Sequence, residues 1–270
     1  MYKVVILLTA CVNPNGMQQT ALQDVNSRLQ QYKEALNYYL KVTCVPIIFV
    51  ENTGTDFSGE YANYIEKGRL EYFTFNGNNY DRRLGKGYGE SLIINYAFNV
   101  STFLRQTKYV LKVTGRLKVK NINSLVNIHY TSLSNIFRST FYENRFVKTT
   151  VFLIETKTLE KFVKTEGYKC DDSTGHFFEY MLHDFLAREG DVFFLPYIIH
   201  PKIEGVSGTH NKPYYLPSIK ENLYNSLNGT FFFYKCSKNH IMRLIFGLVS
   251  KLYNVSYMCC NKEQRKDNVI

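Results

Sequence analysis

Short apolar runs alternate along the first half of the chain with longer segments whose apolar residues recur at helical spacing. The short runs are typical of strands covered on both faces; they are Lys3 to Thr9, Pro46 to Glu51, Leu70 to Phe75 and Tyr109 to Thr114. The helical segments are Met17 to Leu40 and Glu90 to Leu104. This order predicts β-α-β units with right-handed crossovers. We therefore predict the α/β class, with an open, mainly parallel, Rossmann-like sheet flanked by helices.

The second half of the chain continues this pattern less regularly. Thr149 to Glu155 predicts a further strand, followed by a helix through Val163. Cys170 to Arg188 predicts a helix that begins after the cap signals Ser173 and Thr174. Residues 218–258 carry an apolar stripe with interleaved basic side chains, which a core-packing helix and a helix on an anionic membrane explain equally well.

The domain boundaries follow from these segments. We predict one domain over residues 1–217, made of two halves (1–120 and 121–217), because the strand and helix pattern continues through both. A helical C-terminal extension over 218–258 follows it, and the polar composition of 259–270 predicts a disordered tail.

Composition narrows the class of protein. The chain has 270 residues, 45% of them hydrophobic, which is enough to bury a large core without a metal or disulfide. Its net charge of +10 favours an anionic partner such as a nucleotide, a nucleic acid or an acidic membrane. The six cysteines have no zinc spacing, which indicates reduced thiols. With no signal-peptide leader and no run of ~20 apolar residues, we expect a cytoplasmic protein, with peripheral contact at the inner face of the plasma membrane as an option.

The end of the Tyr109 to Thr114 strand carries charged residues around a glycine. Lys112 and Thr114 should point to the same side, because strand side chains alternate. Gly115 allows the backbone to approach a ligand closely, and Arg116 offers a planar fork for phosphate oxygens. Ligands of parallel sheets bind at the carboxyl ends of strands. A diphosphate site and an ordinary turn with solvated cations explain this stretch equally well.

A second basic cluster favours the diphosphate interpretation. The stretch DRRLGKGYGE, residues 81–90, places three glycines and three cations directly before a helix, whose free N–H groups attract anions. It is neither a Walker loop nor a dinucleotide fingerprint. Gly85, Lys86 and Gly87 are therefore candidate phosphate-binding residues.

Together, the stretches VVILLTACVNP, FVENTG, GKGYGE and YVLKVTGR resemble those of bacterial GT-A-fold glycosyltransferases that build capsule and O-antigen polysaccharides. The resemblance covers roughly residues 1–215. It implies transfer of a sugar from a nucleotide-sugar donor, usually a UDP-sugar, to a saccharide or lipid-linked acceptor. Residues 1–120 would bind the nucleotide sugar, and residues 121–217 the acceptor.

The resemblance also implies roles for individual residues. The nucleoside would contact five residues at strand ends: Thr9, Ala10, Glu51, Asn52 and Thr53. The diphosphate and donor sugar would be lined by Lys86, Lys112, Gly115 and Arg116, with Gly85, Gly87 and Thr114 beside them. The chain lacks the Asp-x-Asp that holds a divalent ion in most such enzymes. Fixed cations can stabilise a leaving diphosphate instead, so we expect no cofactor and favour neither manganese nor magnesium.

An inverting transfer needs a base for the acceptor hydroxyl. Glu179 is the first candidate and Asp184 the second, with His176 behind them, since Glu179 and Asp184 lie off the apolar face of the predicted helix. Retention of configuration would need no base. Asp171 and Asp172 fit a loop or helix cap better than an ion site.

A polar loop after residue 200 adds one further candidate. His210 lies there and would reach the diphosphate if the loop closes over a ligand, although a plain surface connection explains the loop slightly better. Two other function classes stay open. A nucleic-acid-binding module would explain the charge, but the cations are dispersed and no recognised motif is present. A non-catalytic membrane-associated scaffold would bind liposomes and no nucleotide.

Overall fold

The computed structural model describes residues 2–127, 135–139, 147–189, 194–195, 201–209 and 211–214. The predicted helical extension (218–258), the predicted tail (259–270) and His210 lie outside the described residues.

The described elements alternate between strands and helices. The strands are β1 (Tyr2–Ala10), β2 (Ile47–Glu51), β3 (Leu70–Thr74), β4 (Thr107–Thr114), β5 (Lys118–Val119), β6 (Asn135–Ser139), β7 (Val147–Glu155), β8 (Phe194–Leu195) and β9 (Ile203–Glu204). The helices are α1 (Val25–Val42), α2 (Ala62–Glu66), α3 (Gly85–Val100), α4 (Thr102–Arg105), α5 (Ile122–Val126), α6 (Thr156–Thr165) and α7 (Phe178–Arg188).

One seven-stranded sheet organises the molecule, with strand order β3-β2-β1-β4-β7-β6-β8. β1, β2, β3 and β4 are mutually parallel, whereas β7 runs antiparallel to both of its neighbours, β4 and β6. β5 and β9 form a separate antiparallel pair. The prediction of an α/β protein with a mainly parallel sheet and flanking helices is confirmed. The sheet runs through both predicted halves of the 1–217 domain.

Both faces of the central strands β1, β2 and β4 are largely buried, as the uninterrupted apolar runs predict. Alternate residues of β1 enter different cores: Ile6 and Leu8 pack with α1 and its neighbours, while Val5 and Leu7 pack with α3, α6 and α7. All four side chains are fully buried. Burial on both faces makes β1 and its parallel neighbours a rigid base for groups at their carboxyl ends.

Some helix boundaries differ from the sequence predictions because polar side chains cap them elsewhere. α1 begins at Val25 and not at Met17, since the Asp24 side chain accepts a hydrogen bond from the Ser27 N–H. The predicted Glu90 to Leu104 helix is divided at Ser101, whose hydroxyl caps α4. α7 begins at Phe178, after a short turn that contains the predicted cap residues.

Candidate active site

A cavity of about 230 Å³ lies at the carboxyl ends of β1, β2 and β4, beside the starts of α3 and α7. Nine of the predicted site residues line it: Thr9, Ala10, Asn52, Lys86, Gly87, Lys112, Thr114, Arg116 and Glu179. Five others do not line it: Glu51, Thr53, Gly85, Gly115 and Asp184. The chain thus brings together residues from both of its predicted halves.

Arg116 is the buried cation of this cavity. Its side chain is 7% exposed, and its Nη1 donates to Gln31 Oε1 and to the Val206 carbonyl, both at 3.0 Å. Its Nε is buried and has no hydrogen-bond partner among the described residues. No described carboxylate forms a salt bridge with it, in contrast to exposed cations such as Arg83. Burial lowers the pKa of the Arg116 guanidinium below its usual range, and the nearby Arg28 also lowers it.

Arg28 is a second buried arginine, which the sequence analysis missed. Its Nε donates to the Cys11 carbonyl at 2.9 Å and its Nη1 to the Leu22 carbonyl at 3.2 Å, so it holds the loop after β1 in place. Its Nη2 also contacts the Tyr32 hydroxyl, at 3.3 Å. The available signal was spacing, because Arg28 lies four residues before buried Tyr32 on the same helix face.

Glu51 and Asn52, two neighbouring residues at the end of β2, have different roles. Glu51 is fully buried, and its carboxylate accepts hydrogen bonds from the N–H groups of Val12, Thr53 and Thr55 at 2.8–2.9 Å. It therefore organises the loops after β1 and β2. Asn52 is 1% exposed and faces the cavity, and its Oδ1 has no partner among the described residues.

The glycine-rich start of α3 holds a carboxylate of the chain itself. Asp172 Oδ2 accepts a hydrogen bond from the Lys86 N–H at 3.1 Å. A Cβ on Gly85 would overlap the Asp172 carboxyl group, so this glycine provides the space for it. Burial raises the pKa of Asp172 to about 6, and Glu179 raises it as well. The Lys86 ammonium contacts the Thr209 hydroxyl.

A buried ion pair joins β4 to α3. Lys112 is 1% exposed, and its Nζ contacts Glu90 Oε1 and donates to the Thr149 carbonyl at 2.8 Å. It also lies 3.4 Å from Thr114 Oγ1, which confirms that Lys112 and Thr114 point to the same side of β4. Glu90 was not among the predicted site residues, yet its side chain lines the cavity.

Gly115 serves the packing of the two central strands. Its N–H donates to the Thr9 carbonyl at 2.9 Å, and a Cβ at this position would lie 2.8 Å from the same oxygen. The close approach at Gly115 is therefore to the backbone of β1, whereas the sequence predicts an approach to a ligand, and Gly115 does not line the cavity.

The two candidate bases differ in position. Glu179 Oε1 accepts a hydrogen bond from the Thr149 hydroxyl at 2.9 Å, at the cavity wall. Asp184 lies further along α7, where its carboxylate is 3.2 Å from His183 Nδ1. His176 is exposed in the turn before α7, with its Nδ1 2.8 Å from the Thr174 hydroxyl.

Residues 206–209 form a strap at the cavity, which Ser207, Gly208 and Thr209 line. The Gly208 carbonyl accepts a hydrogen bond from the Ala21 N–H at 2.8 Å, and Val206 and Thr209 contact Arg116 and Lys86. The strap therefore contacts two of the cavity cations directly. The cavity beside it is smaller than the ~300–1,000 Å³ of typical small-molecule sites.

Two features are absent from the described part of the chain. No group of three His, Cys, Asp or Glu side chains there is arranged to hold a metal ion. No helix there is long and apolar enough to span a bilayer.

No protein-family model matches the sequence, and no curated protein sequence matches it. Several solved structures are similar in fold. A 4-diphosphocytidyl-2C-methyl-D-erythritol synthase from Anaerococcus prevotii is 15% identical, with a TM-score of 0.39, over 84% of this chain and 95% of that chain. A glycosyltransferase involved in glycosylating the major capsid of PBCV-1 is 13% identical, with a TM-score of 0.41, over 72% and 81%.

Core-mannan synthase A from Aspergillus fumigatus is 9% identical, with a TM-score of 0.40, over 86% of this chain and 85% of that chain. At this level of similarity an activity is not transferable from one protein to another. The chemistry of the cavity itself has to indicate the function.

Proposed function

We propose that this protein is a glycosyltransferase that moves a sugar from a nucleotide-sugar donor, a UDP-sugar by preference, to a saccharide or lipid-linked acceptor. One observation carries the proposal. Arg116 is buried at the carboxyl edge of the parallel strands, with an unpartnered Nε and no carboxylate counterion among the described residues. A buried charge of this kind is unfavourable unless something pairs with it. Phosphate oxygens would satisfy the donor and neutralise the charge.

The position of Asn52 supports a nucleoside on the same ligand. Its unpartnered Oδ1 would accept a hydrogen bond from a base N–H or a ribose hydroxyl. β1 lies between β2 and β4, so Asn52 and Arg116 follow strands about 10 Å apart in the hydrogen-bonding direction. A nucleoside diphosphate has a hydrogen-bond donor at one end and phosphates at the other, which suits this separation.

The proposed reaction is an inverting displacement. The acceptor hydroxyl oxygen bonds to the anomeric carbon, the bond from that carbon to the diphosphate oxygen breaks, and the hydroxyl proton passes to Glu179. The departing diphosphate keeps the electron pair, and Arg116 and Lys86 stabilise its charge. Asp184 is the weaker candidate for the base, since it does not line the cavity.

Transfer without a metal ion is part of the proposal, because the cavity cations stand where charge would develop on the leaving group. The sequence motifs extend it to surface polysaccharide synthesis. Contact with an anionic membrane through residues 218–258 stays an expectation from the sequence.

A thermal-shift and calorimetry screen of nucleoside diphosphates, with EDTA and with manganese, tests the proposal. We expect UDP to stabilise the protein equally in both conditions. Arg116→Met should weaken UDP binding by about a hundredfold, the scale of one or two charge-assisted contacts, whereas Arg188→Met, an exposed arginine on α7, should not change it. Binding of oligonucleotides in place of UDP, or stabilisation only with manganese, would contradict the proposal.

A second experiment concerns the base. Glu179→Gln should abolish sugar transfer from UDP-sugars while UDP binding persists, because the carboxylate acts on the acceptor and not on the nucleotide. If Asp184→Asn abolishes transfer and Glu179→Gln does not, Asp184 takes that role. Incorporation of a nucleotide from CTP or UTP into a sugar phosphate, without glycosyl transfer, would instead make the protein a nucleotidyltransferase.

A further inference from the structure

Glu90 lines the cavity, and only one of its two carboxylate oxygens is held by other side chains. Its Oε1 accepts a hydrogen bond from the Thr9 hydroxyl at 3.0 Å and pairs with the Lys112 ammonium. Its Oε2 has no hydrogen-bond or ion-pair partner among the described residues. The Glu90 side chain is 22% exposed, whereas that of Lys112 is 1% exposed. A ligand in the cavity would therefore meet the Glu90 carboxylate rather than the Lys112 ammonium.

Two neighbouring side chains, those of Lys112 and Thr9, fix the orientation of this carboxylate. Lys112 is held by the Thr149 carbonyl as well as by Glu90, so its ammonium cannot turn towards the cavity without leaving buried partners behind. Thr9 holds the same Glu90 oxygen from β1. Glu90 Oε2 is thus a preorganised hydrogen-bond acceptor, and it needs no rearrangement to bind a hydroxyl group.

Charge is distributed unevenly around the cavity. The arginines Arg28 and Arg116 lie by the loops after β1 and β4, and neither forms a salt bridge with a described carboxylate. The carboxylates Glu90, Asp172 and Glu179 lie on or next to α3 and α7, where Lys112 is paired with Glu90 and the Lys86 ammonium contacts the Thr209 hydroxyl. A diphosphate would bind at the arginines, which leaves the donor sugar at the carboxylates. A hydroxyl group there would donate a charge-assisted hydrogen bond, whereas a second carboxylate would be repelled.

We infer that Glu90 determines the class of donor sugar: it binds hydroxyl groups of a neutral sugar and excludes sugars that carry a carboxylate, such as uronic acids. Thr9 acts as a positioning residue that orients Glu90. The inference rests on the proposed function, because it assumes a nucleotide-sugar donor. In this inference Thr9 and Lys112 act through Glu90, and neither contacts the nucleotide.

Matched donor pairs test this inference by calorimetry. UDP-glucose and UDP-glucuronate differ only at C6, and UDP-galactose and UDP-galacturonate form a second pair. In the wild type, the neutral member of at least one pair should bind at least tenfold more tightly. Glu90→Gln should reduce that ratio by about tenfold, with UDP affinity within twofold of wild type. Thr9→Val should reduce the ratio partly, because the carboxylate remains but is less well oriented.

Two further variants keep the test decisive. Glu90→Gln leaves Lys112 without its partner, so the double variant Glu90→Gln/Lys112→Met, which removes both buried charges, replaces it if the single variant does not fold. Glu60→Gln breaks the surface pair with Lys33 and is the matched control. We expect its ratio of neutral-donor to acidic-donor affinity to equal that of the wild type. UDP binding with an unchanged ratio in the folded Glu90 variant overturns this inference alone. Absence of UDP binding to the wild type overturns the proposed function first.

Discussion

Asp172 and Lys86, 86 positions apart in the chain, meet at the start of α3, where the Asp172 carboxylate accepts a hydrogen bond from the Lys86 N–H at 3.1 Å. Gly87 belongs to the same contact, since a Cβ there would lie 3.0 Å from Asp172 Oδ1. The glycines that the sequence offers as a phosphate cradle thus accommodate a carboxylate from the second half of the chain. A phosphate at this helix start would have to displace Asp172, so the arginines are the better anion site.

The first prediction concerns pH. Burial raises the pKa of Asp172 from its ordinary value of 3.8 to about 6. Between these values the folded protein binds more protons at Asp172 than the unfolded chain does, so this group favours folding more as the pH falls from about 6 towards 4. Asp172→Asn removes that dependence. We expect the melting temperature of the wild type to rise relative to the variant between pH 7.5 and pH 5.

Asp171→Asn is the matched control for the pH experiment. Hydrogen bonds from Ser173 hold the pKa of Asp171 below its usual range, so its contribution has the opposite sign. The stabilising contribution of Asp171 is present when the pH is above the pKa of Asp171 in the unfolded chain, and it is lost only as the pH falls below about 4. The difference between wild type and this variant should therefore stay constant from pH 7.5 to pH 5. Equal pH slopes for wild type and Asp172→Asn would contradict the prediction.

The second prediction links the strap to anion binding. A Cβ on Gly208 would lie 2.6 Å from Arg116 Nη2, at the flexible end of that side chain. Gly208→Ala should therefore displace the guanidinium and not unfold the protein. We expect UDP affinity to fall by about tenfold, about one charge-assisted hydrogen bond, with little change in melting temperature. Gly59→Ala is the control, since a Cβ there meets nothing within 4 Å; unchanged UDP affinity in Gly208→Ala would count against the placement of the diphosphate.

The third prediction concerns the contact between the two central strands. Gly115→Ala places a methyl group 2.8 Å from the Thr9 carbonyl and 3.3 Å from the Tyr32 ring, neither of which can move freely. Overpacking of this kind lowers the free energy of unfolding by about 1–3 kcal/mol. Urea denaturation measures this loss, again with Gly59→Ala as the control. A loss below about 0.5 kcal/mol, the range of ordinary surface changes, would mean that β1 and β4 separate more easily than their packing indicates.

The fourth prediction concerns Glu51. Glu51→Gln replaces one carboxylate oxygen with an NH₂ group, which faces the N–H groups of Val12, Thr53 or Thr55. Buried donors then lose their acceptor, and we expect the free energy of unfolding to fall by about 2–3 kcal/mol. Urea denaturation would measure it. Glu60→Gln, at an exposed position, should change it by less than about 0.5 kcal/mol; equal effects of the two substitutions would contradict the organising role of Glu51.

The fold was predictable to a large extent because a strand that is buried on both faces has an uninterrupted apolar sequence. β1, β2, β3 and β4 each match an apolar run to within two residues at either end. The direction of β7 was not predictable from its own residues, since an apolar run is the same in either direction. It depends on the chain between β5 and β7, whose sequence carries no clear helical crossover.

The candidate site was predictable only where a residue lies near the carboxyl end of a strand or just after it. Asn52, Lys112 and Arg116 fall into that class, and all three reach the cavity. Arg28 and Glu90 lie within helices, where a single charged residue on a buried face resembles any other helix position. Asp172 could not be paired with the glycines of α3 in advance, because that contact depends on how α7 packs against the sheet.

The antiparallel direction of β7 has a consequence for how this site could diversify. It brings the beginning of β7, with Thr149 and Thr150, to the same edge as the endings of β1 and β4. Residues at the beginning of β7 can therefore be substituted without altering the connections on which the arginines and Asn52 depend. Homologous proteins could therefore use different acceptor substrates through changes at the beginning of β7, while the side of the site at the ends of β1 and β4 stays the same.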